Sequence, residues 1–256
     1  MPELPEVEGY TRYFREHALH QPIARVDVRD ARILGEVRPE GLARRLRGRT
    51  FQSVRRHGKH LFADAGAGWL RLHFGMTGDL AYYRDLSDEP RFARVVFAFE
   101  GGAHLAFQDM RLFGVVDLID DPDAFIASHR LGRDPLDPAF GLRELRKLLA
   151  GRRGAIKALL MSQELVAGLG NLYVDETLFQ TGIHPLRTAD ALRDGEVRAL
   201  LATMRRILQA MIDGKPRRGW IFDRREEGER CPKCGGTLRR ATIAGRTTYW
   251  CPKHQR

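Results

Sequence analysis

Apolar residues first recur at helical steps. Val7, Tyr10, Phe14 and Ala18 lie three and four apart, which predicts a helix over residues 5–19, ended by Pro22. From Ile23 to about Ile119 the pattern shortens to strands and turns. Candidate strands are Ile23–Arg29, Phe51–Asp64, Trp69–Phe74, Asp79–Arg84, Arg94–Glu100, Ala103–Gln108 and Phe113–Leu118, several of them separated by glycine-containing turns. Many strands with little helix between them predict a β-sandwich or a barrel. Leu131-Gly-Arg-Asp-Pro-Leu-Asp-Pro138 carries two prolines and few core residues, and reads as a linker. After it the period is helical, with candidate helices over Leu142–Ala150, Ala155–Ser162, Leu172–Gln180 and Ala191–Asp213. Residues 215–230 are polar and irregular in pattern, and a small hairpin follows from Cys231. The chain is therefore read as α+β and multidomain: a β-rich part over 1–130, a helical part over 131–214, and a linker with a hairpin over 215–256.

Composition narrows the class. Hydrophobic residues make up 43% of 256, too many for a disordered chain. No run approaches 18 apolar residues, so no membrane span is expected. The acidic N-terminus lacks a signal-peptide pattern, which points to a cytoplasmic protein. The formal charge of +10, carried mostly by arginine, points to a polyanionic partner, nucleic acid first. A generally basic surface gives the same balance.

All three cysteines fall in the last 26 residues, an odd number that argues against a disulfide framework. Cys231-Pro-Lys-Cys234 and Cys251-Pro-Lys-His254 make two half-sites with sixteen residues between them. Four N/S ligands so spaced predict one closed, structural, tetrahedral zinc site. An alternative keeps three cysteines and a water on the metal, with His254 one shell out. Between the half-sites, Thr237–Thr248 can form two strands around an Ala244-Gly245 turn. That hairpin places Arg246 as a phosphate probe or as a solvated side chain.

The opening Met-Pro-Glu-Leu-Pro-Glu-Val-Glu carries candidate chemistry. Removal of Met1 would leave Pro2 as a secondary amine, a group able to attack a sugar carbon and form an iminium, with the Glu3 carboxyl beside it to move protons. The same residues also suit an ordinary helix start. In residues 154–185, a turn containing Gly168 and Gly170 leads into a helix with Asn171 at its N-cap or first turn, where backbone N–H groups can hold an anion. A helical hairpin with an Asn cap and no ligand fits equally.

These segments together resemble the formamidopyrimidine-DNA glycosylase / endonuclease VIII family over essentially the whole length, on its formamidopyrimidine-like bacterial branch. The opening matches at Pro2, Glu3 and Glu6, the helix–two-turn–helix at 154–185 with Asn171 in the phosphate-binding place, and the zinc finger with Arg246 at a phosphate-contacting arginine. The resemblance implies a two-layered β-sandwich preceded by a helix, a helical domain with helix–two-turn–helix, and a zinc-finger hairpin. It implies a DNA glycosylase / AP lyase of base-excision repair, acting as a monomer on damaged double-stranded DNA in the cytoplasm, at the nucleoid. Lys59 in His-Gly-Lys-His-Leu matches a lysine that contacts phosphate near the lesion, and His73 in Leu-His-Phe-Gly-Met-Thr-Gly a backbone contact. Met76, Arg111 and Phe113 match the wedge that fills the gap left by an extruded base. Without the match, core packing would explain Met76 and Phe113.

The chain departs from the family pattern at three places. His254 stands where cysteine is usual, Leu112 where a basic residue is common, and the 214–230 segment is short where relatives carry a loop over the everted base. The short segment leaves open an enzyme that mainly cleaves abasic sites. A damage-binding module without catalysis is a further alternative, and the intact Pro2–Glu3 pair weighs against it.

Overall fold

The computed structural model describes residues 1–215 and 217–256. The sequence expectation for residues 214–230 covers Pro216, which lies outside the described residues. The chain divides into two compact units, Met1–His129 and Arg130–Arg256. No helix among the described residues is long and apolar enough to cross a membrane.

The first unit opens with α1 (Leu4–His17), whose Leu4, Val7 and Phe14 are fully buried. The helix stops at His17, five residues before Pro22, because Ala18 and Leu19 turn the chain into a bridge between Leu19 and Phe51. Two four-stranded antiparallel sheets follow. One has the order β1 (Ile23–Val28), β6 (Ala93–Phe99), β7 (His104–Asp109), β5 (Gly78–Tyr83). The other has the order β2 (Ser53–His57), β3 (His60–Asp64), β4 (Trp69–His73), β8 (Val115–Ile119). Their inner faces share one core that includes Phe51, Leu61, Leu72, Phe74, Phe97 and Phe107. This is the sandwich rather than the barrel.

The single strand expected over 51–64 is two, because Gly58 takes φ +54° and turns the chain at Gly58-Lys59. Two short helices escape the sequence pattern. One is α2 (Pro39–Leu46), which buries Leu42 and Leu46 one turn apart. The other is α3 (Pro122–Ser128), capped by Asp121, whose carboxylate accepts from Asp123 N at 2.6 Å and Ala124 N at 2.8 Å.

Strand register sets one end of the sandwich. Gly78 faces Asp109 where β5 starts and β7 stops, and His73 faces Val115 where β4 stops and β8 starts. The β4–β5 and β7–β8 connections therefore cross between the sheets side by side. His60 also faces His73, which brings the Gly58-Lys59 turn to the same end. α1 points its N-terminus there too. Its Tyr10 hydroxyl donates to Gly78 O at 3.3 Å, while Tyr13, further along the helix, accepts from Tyr82 N at 2.8 Å.

The second unit holds α4 (Leu142–Leu149), α5 (Ile156–Met161), α6 (Asn171–Thr181), α7 (Asp194–Ile212) and the hairpin of β9 (Arg239–Ile243) and β10 (Arg246–Trp250). Residues 131–138 pack inside this unit: Gly132 N donates to Gln163 O at 2.8 Å, and Arg133 bridges Val166. Ala244 and Gly245 take φ +50° and +71°, the doubly positive geometry of a two-residue hairpin turn.

Candidate functional site

At the crowded end of the sandwich, Glu3 is the residue that caps α1, and it is only 3% exposed. Its backbone N–H donates to Glu6 Oε2 at 2.9 Å, so a carboxylate occupies the positive end of the helix. Pro2, half-buried, precedes it. Glu8 on the next turn pairs with Arg56 at 3.1 Å, and the same guanidinium donates to Gly58 O at 3.2 Å. That bridge ties the turn holding Lys59 to the first turns of α1. Lys59 itself is buried, at 8% exposure.

His73 ends β4 and takes the N–H of Gly75 on Nδ1 at 3.3 Å. That bond places its own proton on Nε2. Burial, then the charges of Arg71 and Lys59, push its pKa down to about 4, so the ring is neutral near pH 7. His60, paired with it across the strands and 4.9 Å between ring centroids, is pushed down further, chiefly by burial.

Met76 and Phe113 are 41% and 53% exposed, large apolar side chains left in water rather than packed in the core. They sit on the two adjacent crossovers. A Cβ on Gly75 would lie 2.3 Å from the Phe113 carbonyl carbon, so the two backbones touch there. Arg111, exposed, lays its guanidinium 4.9 Å from the Phe113 ring centroid. The structure thus brings Met76, Arg111 and Phe113 together. Leu112 takes φ +56° and turns its side chain back against the core, where a basic side chain would not belong.

In the second unit, Asn171 is the first residue of α6. Its Oδ1 accepts from Lys157 Nζ at 2.7 Å, and its Nδ2 donates to Thr247 O at 2.9 Å. Arg246, exposed, is the neighbour of Thr247 at the start of β10. Lys157 is fully buried and also reaches Thr248 Oγ1 at 2.5 Å and Asp175 at 2.6 Å. Arg225 holds the other Asp175 oxygen at 2.8 Å. This buried knot binds α5, α6 and β10 together and sets Asn171 beside Arg246. Spacing had not revealed Lys157 or Asp175 as part of it.

The three sulfurs of Cys231, Cys234 and Cys251 lie within 4.8 Å of one another, with Cys234 and Cys251 at 3.5 Å and no disulfide formed. Tetrahedral thiolates about 2.3 Å from a zinc ion need sulfur separations of this order, so the cluster fits zinc. His254 is outside the sulfur group. Its Nε2 bonds the Phe179 carbonyl at 2.8 Å. The tail that carries it is pinned, because Arg256 N donates to Gly182 O and His184 N to Arg256 O, at 2.8 and 2.9 Å.

Comparison with known proteins agrees with both units. Residues 1–116 match the formamidopyrimidine-DNA glycosylase N-terminal domain, 131–218 the formamidopyrimidine-DNA glycosylase H2TH domain, and 228–253 a zinc finger found in FPG and IleRS. A formamidopyrimidine-DNA glycosylase of Symbiobacterium thermophilum is 36% identical, with 100% of this chain and 89% of the relative covered. One of Moorella thermoacetica is 38% identical over 94% of each. Among solved structures, Lactococcus lactis formamidopyrimidine-DNA glycosylase bound to DNA containing an AP site superposes with a TM-score of 0.90 at 29% identity over 99% of each chain. MutM in complex with DNA containing carbocyclic 8-oxo-G gives 0.91 at 29% over 100% of each. A two-sheet sandwich with a helical partner unit and a thiolate hairpin is thus the architecture of a DNA-repair glycosylase. The chain belongs to the formamidopyrimidine-DNA glycosylase family.

Proposed function

We propose that the chain is a bifunctional DNA glycosylase and AP lyase of base-excision repair, acting on oxidised, purine-derived lesions in double-stranded DNA. The observation that carries this reading is the buried carboxyl of Glu3, which caps α1 directly after Pro2. Once Met1 is removed, the Pro2 nitrogen attacks C1′ of the damaged nucleotide. The N–C1′ bond forms, the glycosidic bond breaks, and the base departs with a proton. Glu3 protonates the ring oxygen as the sugar opens, leaving an iminium between Pro2 and C1′. Loss of a C2′ proton into that electron sink expels the 3′ phosphate, and a second elimination expels the 5′ phosphate. The positive end of α1 favours the neutral amine while the carboxylates of Glu3, Glu6 and Glu8 oppose it, and Lys59 on its tethered turn supplies charge for a phosphate near the lesion.

Met76 and Phe113 fill the space left by the extruded base, and Arg111 meets the orphaned opposite base. His73 donates from Nε2 to the DNA backbone, while Asn171 and Arg246 hold phosphate. The hairpin carries one structural zinc on Cys231, Cys234, Cys251 and His254. The Nε2 bond to a backbone carbonyl supports His254, since it leaves the lone pair of the neutral ring on Nδ1, a pattern common to metal-bound histidines.

Borohydride reduction on an abasic duplex tests the chemistry. The mature chain should be trapped covalently, and Pro2→Gly or retention of Met1 should suppress trapping sharply. Full trapping with Met1 intact by mass spectrometry removes Pro2 from the mechanism. A second reading, mainly AP lyase with weak base excision, is favoured by the packed 217–223 segment, in which Trp220 and Ile221 are buried.

A further inference from the structure

The tips that carry Met76, Arg111 and Phe113 leave different sheets and lie beyond the last strand pairs. One carboxylate joins them. Asp109 is fully buried. Its Oδ1 accepts the hydroxyl of Thr77 and the N–H of Arg111, the latter at 3.1 Å, and its Oδ2 accepts the N–H of Gly114 at 2.7 Å. The Arg111 N–H also reaches Thr77 Oγ1 at 3.1 Å. Thr77 follows Met76, and Gly114 follows Phe113, so the three donors flank the exposed side chains on both tips. Asp109 is itself held from behind, since Arg94 Nε donates to its carbonyl at 2.8 Å. The contact is close enough to exclude side chains: a Cβ on Gly114 would stand 2.8 Å from the Phe107 ring and 3.0 Å from Asp109 Oδ2.

Two loop tips bearing exposed apolar side chains lose conformational freedom when they enter a duplex. Fixing them beforehand removes that cost from the binding step. A buried acceptor with several donors is suited to this, because each donor left without a partner in a dry site is penalised. We propose that Asp109, acting through Thr77 and the Arg111 and Gly114 amides, is the positioning residue of the wedge. It locks both tips into one unit before DNA arrives. This inference rests on the damage-recognition reading above, since it assigns the tips to the gap opposite an orphaned base.

The test uses tetrahydrofuran as a stable abasic analogue with 2-aminopurine as the opposite base, so no bond breaks during the measurement. Insertion of the wedge changes the stacking, and hence the fluorescence, of the 2-aminopurine. Asp109→Asn replaces an acceptor with an amide NH2 that must face a donor, and Thr77→Val removes the hydroxyl while keeping the branched shape. In both variants the preference for the tetrahydrofuran duplex over the undamaged duplex should fall about tenfold, with a smaller fluorescence change at saturation. Thr77→Val keeps the test decisive if Asp109→Asn fails to fold. An unchanged preference, or equal weakening on both duplexes, overturns the proposal. Borohydride trapping of the unaltered chain judges the lyase chemistry separately. Failure of trapping together with a tenfold loss of preference in the variants would sink the lyase reading and support the clamp.

Discussion

Lys157 donates its ammonium to the side-chain carbonyl of Asn171 at 2.7 Å from a position with no exposure to solvent. The bond fixes which face of the Asn171 amide carries the donors. The same ammonium holds Asp175, and burial pushes the Asp175 carboxyl up against the opposing pull of Arg225 and Lys157. Lys157→Met should therefore destabilise the second unit by up to about 3 kcal/mol, since it leaves the buried Asp175 carboxyl with only Arg225 and the Tyr249 amide. It should also weaken DNA binding without changing the salt slope, because Lys157 acts through Asn171 rather than on phosphate. Its loss of DNA affinity should not add to that of Asn171→Ala. A slope change of about 1 would instead make Lys157 a direct phosphate contact.

Lys59, Asn171 and Arg246 should weaken damaged and undamaged DNA alike when removed. Each of Lys59→Ala and Arg246→Ala should lower the salt slope by about 1, whereas Asn171→Ala should leave it unchanged. His73 falls with Asn171, not with the cations. Its Nδ1 takes the Gly75 N–H and its pKa is down to about 4, so in the proposed backbone contact it would act as a neutral donor, and His73→Gln should hold the slope. Filter binding across a salt series decides each case. A slope lowered by His73→Gln at pH 7 would mean the ring is charged there.

Two groups, one buried and one half-buried, give opposite pH signatures. Glu176 is fully buried and accepts from Ile221 N and Phe222 N, each at 3.0 Å. Burial raises its pKa from 4.5 to about 7, against the pull of Gln180, these amides and Arg225. The unfolded chain ionises first, so this group's cost to folding appears as pH rises from 4.5 to about 7 and is constant above. Glu176→Gln should match the wild type near pH 4.5 and be relatively more stable by up to about 3 kcal/mol above pH 7. His73 works the other way. Its folded pKa is depressed, so the stability it contributes is complete above 6.5 and is lost as pH falls through about 4. Chemical denaturation of the pair of variants from pH 4 to 8 checks both signs, and parallel stability curves for Glu176→Gln and wild type would contradict the first.

Legibility in the sequence followed the length of each element and the company each residue keeps. The sandwich strands alternate and end at turns, so most were predictable within a residue or two. α2 and α3 were not, because α2 buries only Leu42 and Leu46 and the apolar residues of α3 fall in one short run, whereas α4, also eight residues long, repeats leucine at 142, 145, 148 and 149. The Gly58-Lys59 turn lacks the Asn-Gly or Asp-Gly signature and read as continuous strand. At the candidate site, Pro2, Glu3 and Asn171 were singled out from their own sequence context and Met76, Arg111 and Phe113 by resemblance, and the register explains why all but Asn171 sit at one end of the sandwich. Asp109 was visible only as part of a motif, since its role depends on the pairing with Gly78. Lys157 and Asp175 look like any helix-surface charges until the fold buries them.

The metal site yields a prediction that separates its two forms. Small thiolate knuckles depend on metal for folding. One zinc per chain is expected, and His254→Ala should lower zinc content and DNA affinity while the sandwich stays folded. Metal analysis after gel filtration, with near-ultraviolet dichroism for each unit, measures this. Full zinc occupancy in His254→Ala would leave the ion on three cysteines and water, with His254 serving only its bond to the Phe179 carbonyl.

The short connection between α7 and the hairpin yields a prediction about lesion preference. Ile221 and Phe222 give their amides to Glu176, Gly219 accepts from Gln180 at 3.0 Å, and Trp220 is 6% exposed. Arg217 stacks its guanidinium 4.3 Å from the Phe222 ring centroid. These residues are committed to packing within their own unit, which leaves little chain to cover an extruded base. A pocket with fewer contacts to the base draws less binding energy from the damaged base in the transition state. The abasic reaction uses no base contacts and loses least. Abasic-site cleavage should therefore be clearly faster than removal of 8-oxoguanine, with formamidopyrimidine between them. Glu3→Gln should widen that gap, by roughly 10²–10⁴-fold in base excision, because base loss needs the proton that an abasic sugar no longer requires. Single-turnover rates on matched duplexes measure both effects. If 8-oxoguanine opposite cytosine is excised as fast as an abasic site is cut, the packed segment does not govern specificity.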